Sequence, residues 1–120
     1  FYLYGDGENT RDYVYVEDAV SGYLKLGEKM NKEIHGHAFN FAANSPLSVL
    51  EVIHIMSREM GKNIEPKIVQ TKGFDILHQY ASYEKAKNVL GWKPQYSFLE
   101  GIRKTIPWYV RYFNTLGAKK

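Results

Sequence analysis

The sequence contains no cysteine, which excludes disulfides and thiolate chemistry. It also has no apolar run approaching the roughly 18 residues that a membrane-spanning helix needs. The first residues lead directly into a Gly-Asp-Gly turn and do not resemble a signal peptide. These absences predict a cytoplasmic protein that is not a membrane protein. Because the sequence does not begin with Met, we also expect it to come from a longer polypeptide.

The sequence has a small positive net charge of +3, from 16 Lys and Arg residues and 13 Asp and Glu residues. The basic residues are spread along the chain and do not form a long run, so we expect no binding to nucleic acid. An excess of this size suits a solvated surface or the binding of one small anionic ligand.

The first sixteen residues predict a β-hairpin. Tyr2–Tyr4 is aromatic and β-prone, residues 5–9 are rich in turn formers, and Arg11–Val16 alternates in polarity. A period of two places Arg11 on the same strand face as two tyrosines. A helix is expected from Glu17 to about residue 31, because acidic residues favour a helix N-terminus. Its predicted buried stripe is Ala19, Val20, Tyr23, Leu24, Gly27 and Met30.

The rest of the chain predicts short strands and three more helices. Ala38–Ala42 and residues 66–70 are strand candidates. Ser-x-x-Glu capping boxes begin two of the helices, and Ser82 and Gly91 bound the third. The two boxes are Ser48 with Glu51 and Ser97 with Glu100. The predicted fold is α+β, with short strands and about four helices in one domain over residues 1–120.

Two site patterns are rejected on spacing. His35 and His37 lie two apart without a supporting cysteine or acidic ligand, so we predict no metal site. Gly5-Asp6-Gly7 does not fit a dinucleotide-binding fingerprint, because Thr10 stands where the third glycine belongs and no helix is predicted there.

Tyr83 and Lys87 match the Tyr-x-x-x-Lys pattern in which a lysine lowers the pKa of a catalytic tyrosine. The pattern needs a bound nicotinamide beside it, and nothing in this sequence binds one. An i,i+4 pair on a helix surface is common by chance. We therefore predict no catalytic residue in this chain.

Arg11 has two interpretations of equal weight on spacing alone. A guanidinium held on a strand beside a glycine-rich turn suits bidentate capture of phosphate oxygens. The alternative is a salt bridge with Asp12 or Asp18, which lie nearby in sequence.

Several segments, in this order and spacing, resemble the extended short-chain dehydrogenase/reductase family of nucleotide-sugar dehydratases and epimerases. The likeness covers nearly the whole chain. The segments are residues 4–18 (YGDGENTRDYVYVED), Ala38–Phe41, Ser48–Val52, Glu84–Pro94, and Glu100–Ile102 with Thr105, Trp108 and Tyr109.

The resemblance implies a role for three residues. In the family, the arginine of the Arg-Asp-Tyr segment binds the diphosphate of the nucleotide-sugar, which points to Arg11. The asparagine of the Phe-Asn strand lies at the nucleotide site, which points to Asn40. A second phosphate-binding arginine usually precedes a Gly-Asp pair. Lys72 takes that place here and keeps the charge but not the planar fork.

The resemblance further implies that this is the C-terminal substrate-binding part of a homodimeric enzyme. The missing N-terminal Rossmann domain would hold NAD or NADP together with the catalytic Ser/Thr, Tyr and Lys, so the fragment alone would bind no cofactor and be catalytically incompetent. The segment His78–Ser82 is most similar to the CDP-glucose 4,6-dehydratase branch. The alternative function is a non-enzymatic ligand-binding or interaction module derived from the family, which should expose a contiguous apolar patch.

Overall fold

The computed structural model describes residues 1–70 and 76–117. Within these ranges the fold has four helices and five short strands, as the sequence predicts for an α+β domain. The helices are α1 (Val16–Lys29), α2 (Val49–Glu59), α3 (Glu84–Leu90) and α4 (Phe98–Gly117). The strands are β1 (Tyr2–Tyr4), β2 (Thr10–Arg11), β3 (Leu47–Ser48), β4 (Lys67–Val69) and β5 (His78–Gln79). None of the helices in these ranges is long and apolar enough to cross a membrane.

The strands form two small sheets, and the predicted hairpin is wrong. β1 pairs in parallel with β4, whereas β2 lies between antiparallel β3 and parallel β5. The turn at residues 5–9 is present, but its backbone bonds to distant segments instead of across the turn. The Gly5 N–H donates to the Val69 carbonyl at 3.0 Å, and the Thr10 N–H donates to the Leu77 carbonyl at 2.8 Å. Long-range pairing therefore overrides the local hairpin signal.

Both capping boxes are confirmed. In the first, the Glu51 N–H donates to Ser48 Oγ at 3.2 Å and the Ser48 N–H donates to Glu51 Oε2 at 2.7 Å. In the second, the Glu100 N–H donates to Ser97 Oγ at 3.3 Å and the Ser97 N–H donates to Glu100 Oε2 at 2.8 Å. Each box satisfies backbone donors that the first helical turn leaves unpaired, so it fixes where α2 and α4 begin.

The core lies where α1 and α3 meet Trp92. Its buried members are Ile34, Ala86, Leu90 and Trp92, with Leu26, Phe39, Phe41 and Tyr83 packed around them. The rings of Phe41 and Tyr83 approach the Trp92 ring edge-on, with centroids at 4.9 and 6.0 Å. The Trp92 indole N–H donates to Ser21 Oγ at 2.9 Å, so the polar end of this large buried side chain is satisfied.

Helix α1 buries a different face from the one predicted. The predicted stripe is largely exposed, with Val20 52% and Tyr23 71% accessible. The face that packs inward instead carries Asp18 and Gly22. The Asp18 carboxylate is 1% exposed and accepts the N–H groups of Gln95 and Tyr96 at 2.9 and 3.1 Å. Hydrophobic periodicity cannot find such a face, because a buried carboxylate anchors it.

Gly22 allows the close approach of α1 to Phe41 and supports a paired prediction. A Cβ at Gly22 would lie 2.6–2.8 Å from three ring carbons of Phe41, whereas one at Gly27 would meet nothing within 4 Å. We expect Gly22→Ala to lower the free energy of unfolding by about 1–3 kcal/mol through overpacking. Gly27→Ala should raise it by about 0.5–1 kcal/mol, the usual gain from replacing glycine within a helix. Urea unfolding of both variants tests this, and equal effects at the two positions would contradict it.

The strand predicted at Ala38–Ala42 does not belong to either sheet. Within residues 1–70 and 76–117, no segment donates to or accepts from its backbone. A strand requires a neighbour, and this part of the chain supplies none. The strand predicted at residues 66–70 is confirmed as β4.

Candidate functional site

Arg11 lies on the central strand of the three-stranded sheet. Its backbone is flanked by Leu47 of β3 on one side and Gln79 of β5 on the other. The guanidinium donates through Nη1 to the carbonyl oxygens of Thr10 and Ile76, each at 2.8 Å. Because its backbone lies in a central strand and its guanidinium is already hydrogen-bonded, the Arg11 side chain loses little further conformational entropy when it binds a ligand.

Arg11 lines a cleft of about 360 Å³, which we call the Arg11 cleft. Three segments meet there: the end of β2, the segment after Asn40, and the segment that leaves β5. Together they place a cation, a carboxylate, an amide and two aromatic rings around one opening. The lining residues are Arg11, Asp12, Phe41, Ala42, Gln79, Tyr80 and Ala81.

The two carboxylates proposed as alternative partners of Arg11 both accept backbone N–H groups. Asp12 accepts from Asn44 at 3.0 Å and from Ser45 at 3.2 Å. These bonds fasten the loop before β3 to the end of β2 and so shape one wall of the cleft. Asp18 instead holds the backbone of Gln95 and Tyr96. Both carboxylates therefore have structural partners of their own.

The three residues predicted for substrate binding have different outcomes. Arg11 lines the cleft, and Asn40 is exposed directly beside Phe41, which also lines it. Lys72 lies outside the described residues. Sequence reasoning did not find Gln79 and Tyr80 as lining residues. Their place depends on the parallel pairing of β5 with β2, for which the sequence has no local signal.

A larger cavity, of about 750 Å³, lies between residues 13–17 and the first turns of α4, on the side where Tyr15 packs against Gly101. It is mainly aromatic and aliphatic, with an ion pair at 2.8 Å between Lys104 Nζ and Glu17 Oε2. The hydrogen bond from Lys104 holds the pKa of the Glu17 carboxyl below its usual value. Two cations line this cavity, Lys104 and Arg111, and Lys104 is already paired with Glu17. Because most of the other lining side chains are apolar or aromatic, the cavity suits apolar packing.

The glycine turn before β2 does not fit a dinucleotide. A Cβ at Gly7 would lie 2.7 Å from a Leu50 side-chain atom and 2.8 Å from one of Leu3, so leucine side chains occupy the close approach that a pyrophosphate would need. The turn also continues into a strand and not into a helix N-terminus. In the ranges that the structure describes, no group of three or more His, Cys, Asp or Glu side chains is placed to hold a metal ion.

The family model for GDP-mannose 4,6-dehydratase matches residues 1–105. The chain belongs to the extended short-chain dehydrogenase/reductase family of nucleotide-sugar epimerases and dehydratases. The predicted family and its C-terminal part are thereby confirmed.

Individual family members agree with this assignment. The dTDP-glucose 4,6-dehydratase of Escherichia coli is 32% identical, over 90% of this chain and 32% of that protein. The Thermotoga maritima UDP-glucose 4-epimerase, solved with UDP-glucose, is similar in structure with a TM-score of 0.84 at 30% identity, over 93% of this chain and 35% of that one. The Bifidobacterium longum UDP-glucose 4-epimerase, solved with NAD+ and UDP, gives a TM-score of 0.79 at 29% identity, over 92% and 32% of the two chains.

The chain thus spans about a third of the length of the family members that it matches. These family members include epimerases as well as a dehydratase, so family membership does not by itself decide between epimerisation and dehydration. The solved Bifidobacterium longum epimerase is itself a complex with NAD+ and UDP.

Proposed function

We propose that this chain is the nucleotide-sugar-binding part of an NAD(P)-dependent dehydratase or epimerase, and that Arg11 binds the diphosphate of the sugar donor. The observation that carries the proposal is the placement of Arg11 on a central strand, where it lines the cleft. A planar guanidinium matches phosphate oxygens in pairs, which a lysine ammonium cannot do.

The other walls of the cleft suit the rest of the ligand. Asn40, beside the cleft, would hydrogen-bond the nucleotide through its amide, and Tyr80, 67% exposed at the cleft, offers a face for stacking. Lys72 would add a second positive charge toward the diphosphate. In this proposal, the chain binds and orients the substrate, and the chemical step belongs to the rest of the polypeptide.

The cofactor also belongs to that remaining part. NAD or NADP would take a hydride from the sugar and return it. The Gly5–Gly7 turn does not fit the cofactor, since leucine side chains fill the space beside Gly7. The parent protein is proposed to be a cytoplasmic homodimer, as the family resemblance implies.

The test is calorimetric titration of the 120-residue chain with UDP, CDP, GDP and dTDP. Arg11→Ala should lower the affinity for the tightest-binding nucleotide about tenfold to a hundredfold, because it removes a charge-assisted bidentate contact. Arg11→Lys should give an intermediate loss, because it keeps the charge without the fork.

Arg58→Ala is the matched control. That side chain is exposed on α2, pairs with Glu59 at 3.5 Å and is absent from the cleft lining, so its removal should leave the affinity unchanged. If the folded Arg11→Ala variant binds as well as the unchanged chain, Arg11 does not hold the diphosphate. If none of the four nucleotides binds, the non-enzymatic interaction module becomes the better description.

A further inference from the structure

Asp12 places a negative charge in the cleft that is assigned above to a diphosphate. It follows Arg11 directly in sequence and lines the same cleft. Within residues 1–70 and 76–117 it has no ion-pair partner. A carboxylate about 4 Å from a bound phosphate repels it and, even in water, lowers the affinity about fivefold. A carboxylate at this place therefore needs a compensating role.

The Asp12 carboxylate holds residues 42–46, which we call the cleft loop. Its Oδ2 accepts the Asn44 N–H at 3.0 Å, and its Oδ1 accepts the Ser45 N–H at 3.2 Å. Apart from strand pairing, no other hydrogen bond joins the cleft loop to another segment within the described part of the chain. The hydrogen bonding of this loop therefore depends on one side chain.

The cleft loop connects two parts of the candidate site. At its start, Phe41 and Ala42 line the cleft, and the Phe41 ring is fixed by an edge-on contact with Trp92. At its end, Leu47 pairs with Arg11 across the β3–β2 ladder. Both ends of the loop are thus held by packing or by strand pairing, whereas its middle is held by the carboxylate.

The backbone of Asn44 adds a reason for this support. Its φ is 58°, in the left-handed region that residues other than glycine adopt only at an energetic cost. Its N–H is one of the two that Asp12 accepts. Without this bond, the commoner backbone conformations compete with the left-handed one, and the cleft loop samples several positions.

We infer that Asp12 is a positioning residue for the nucleotide-sugar, which it affects through the cleft loop and not by direct contact. The inference rests on the proposed function. Ordering a loop during binding lowers affinity, so a loop that is ordered beforehand gives tighter binding. For Asp12 this gain exceeds the repulsion between its charge and the phosphates. The two effects of the carboxylate have opposite signs, and substitution can therefore separate them.

Calorimetric titration of the 120-residue chain with the tightest-binding of UDP, CDP, GDP and dTDP measures the sign. Asp12→Ala should lower the affinity about tenfold, because the cleft loop must then become ordered on binding. Asp12→Asn removes the same charge but keeps one accepting oxygen, so its loss should be smaller. Glu8→Ala is the matched control. It removes a carboxylate from an exposed residue outside the cleft lining and should change the affinity by less than about twofold.

Unchanged or tighter binding by Asp12→Ala would overturn the inference, because the carboxylate would then act only through its charge or not at all. If Asp12→Ala does not fold, Asp12→Asn replaces it, and tighter binding by that variant would overturn the inference.

Amide hydrogen exchange without ligand, measured by NMR, tests the cleft loop itself. The amides of Asn44 and Ser45 should exchange about tenfold faster in Asp12→Ala than in the unchanged chain, while those of α2 keep their rates. Unchanged exchange at Asn44 and Ser45 would overturn the inference. Faster exchange throughout α2 would also overturn it, because Asp12 would then support the fold as a whole.

Arg11→Ala distinguishes this inference from the proposed function. Weak binding by Arg11→Ala together with full binding by Asp12→Ala would refute only the role of Asp12. If the unchanged chain binds none of the four nucleotides, the proposed function fails, and the role of Asp12 in binding fails with it.

Discussion

Asp18→Ala is expected to lower the free energy of unfolding by about 2–5 kcal/mol, a large part of the stability of a domain of this size. The Asp18 carboxylate is buried and accepts two backbone N–H groups, one through each oxygen. Alanine would leave both donors without a partner and release residues 95–96 from α1. Urea unfolding followed by circular dichroism measures the change.

Asp6→Ala is the control for this prediction. Asp6 also accepts a backbone N–H, from Glu8 at 3.0 Å, but at an exposed turn where water can replace the carboxylate. Its removal should cost within about 1 kcal/mol. Asp18→Asn should fall between the two, because one amide oxygen remains while the amide NH2 faces an N–H donor. Similar losses in Asp18→Ala and Asp6→Ala would show that the buried carboxylate is not an anchor.

Trp92→Ala is expected to cost about 3–5 kcal/mol. The ring is 3% exposed, contacts Phe41 and Tyr83, and its N–H donates to Ser21 Oγ, so truncation opens a cavity and also breaks a buried hydrogen bond. Trp92→Phe keeps most of the packing and should cost about 1–3 kcal/mol, through the lost N–H bond and the smaller ring.

Trp108→Ala is the matched control, since the chain has one other tryptophan and its side chain is 53% exposed. It should change the free energy of unfolding by less than about 1 kcal/mol. Thermal and urea unfolding compare the three variants. A cost at Trp108 equal to that at Trp92 would mean that the aromatic half of α4 contributes as much to the stability of this chain as the core does.

The features that the sequence predicts correctly are local. A capping box involves residues three positions apart, so Ser48 with Glu51 and Ser97 with Glu100 are recognisable without any tertiary information. The same holds for Gly91, which ends α3 with a backbone φ of 70°.

The features that the sequence misses are set by distant contacts. β1 pairs with β4 and not with its neighbour in sequence, so local alternation gives the wrong hairpin. The inward face of α1 is decided by Asp18 and by residues 95–96, far along the chain. For the candidate site, family resemblance points to Arg11, while Gln79 and Tyr80 depend on the register of β5 against β2.

The three-stranded sheet closes a very long loop with very few bonds. Thr10 and His78 contact one another across 68 positions of sequence, and each of the strands β2, β3 and β5 is only two residues long. Closing such a loop costs chain entropy, so this sheet should assemble late in folding and open early in thermal fluctuations. A ligand that touches Arg11 and Gln79 together ties both ends of the loop. If the proposed ligand binds there, we expect it to stabilise the three-stranded sheet by mass action, so that the fraction of molecules in which this sheet is formed rises with ligand concentration.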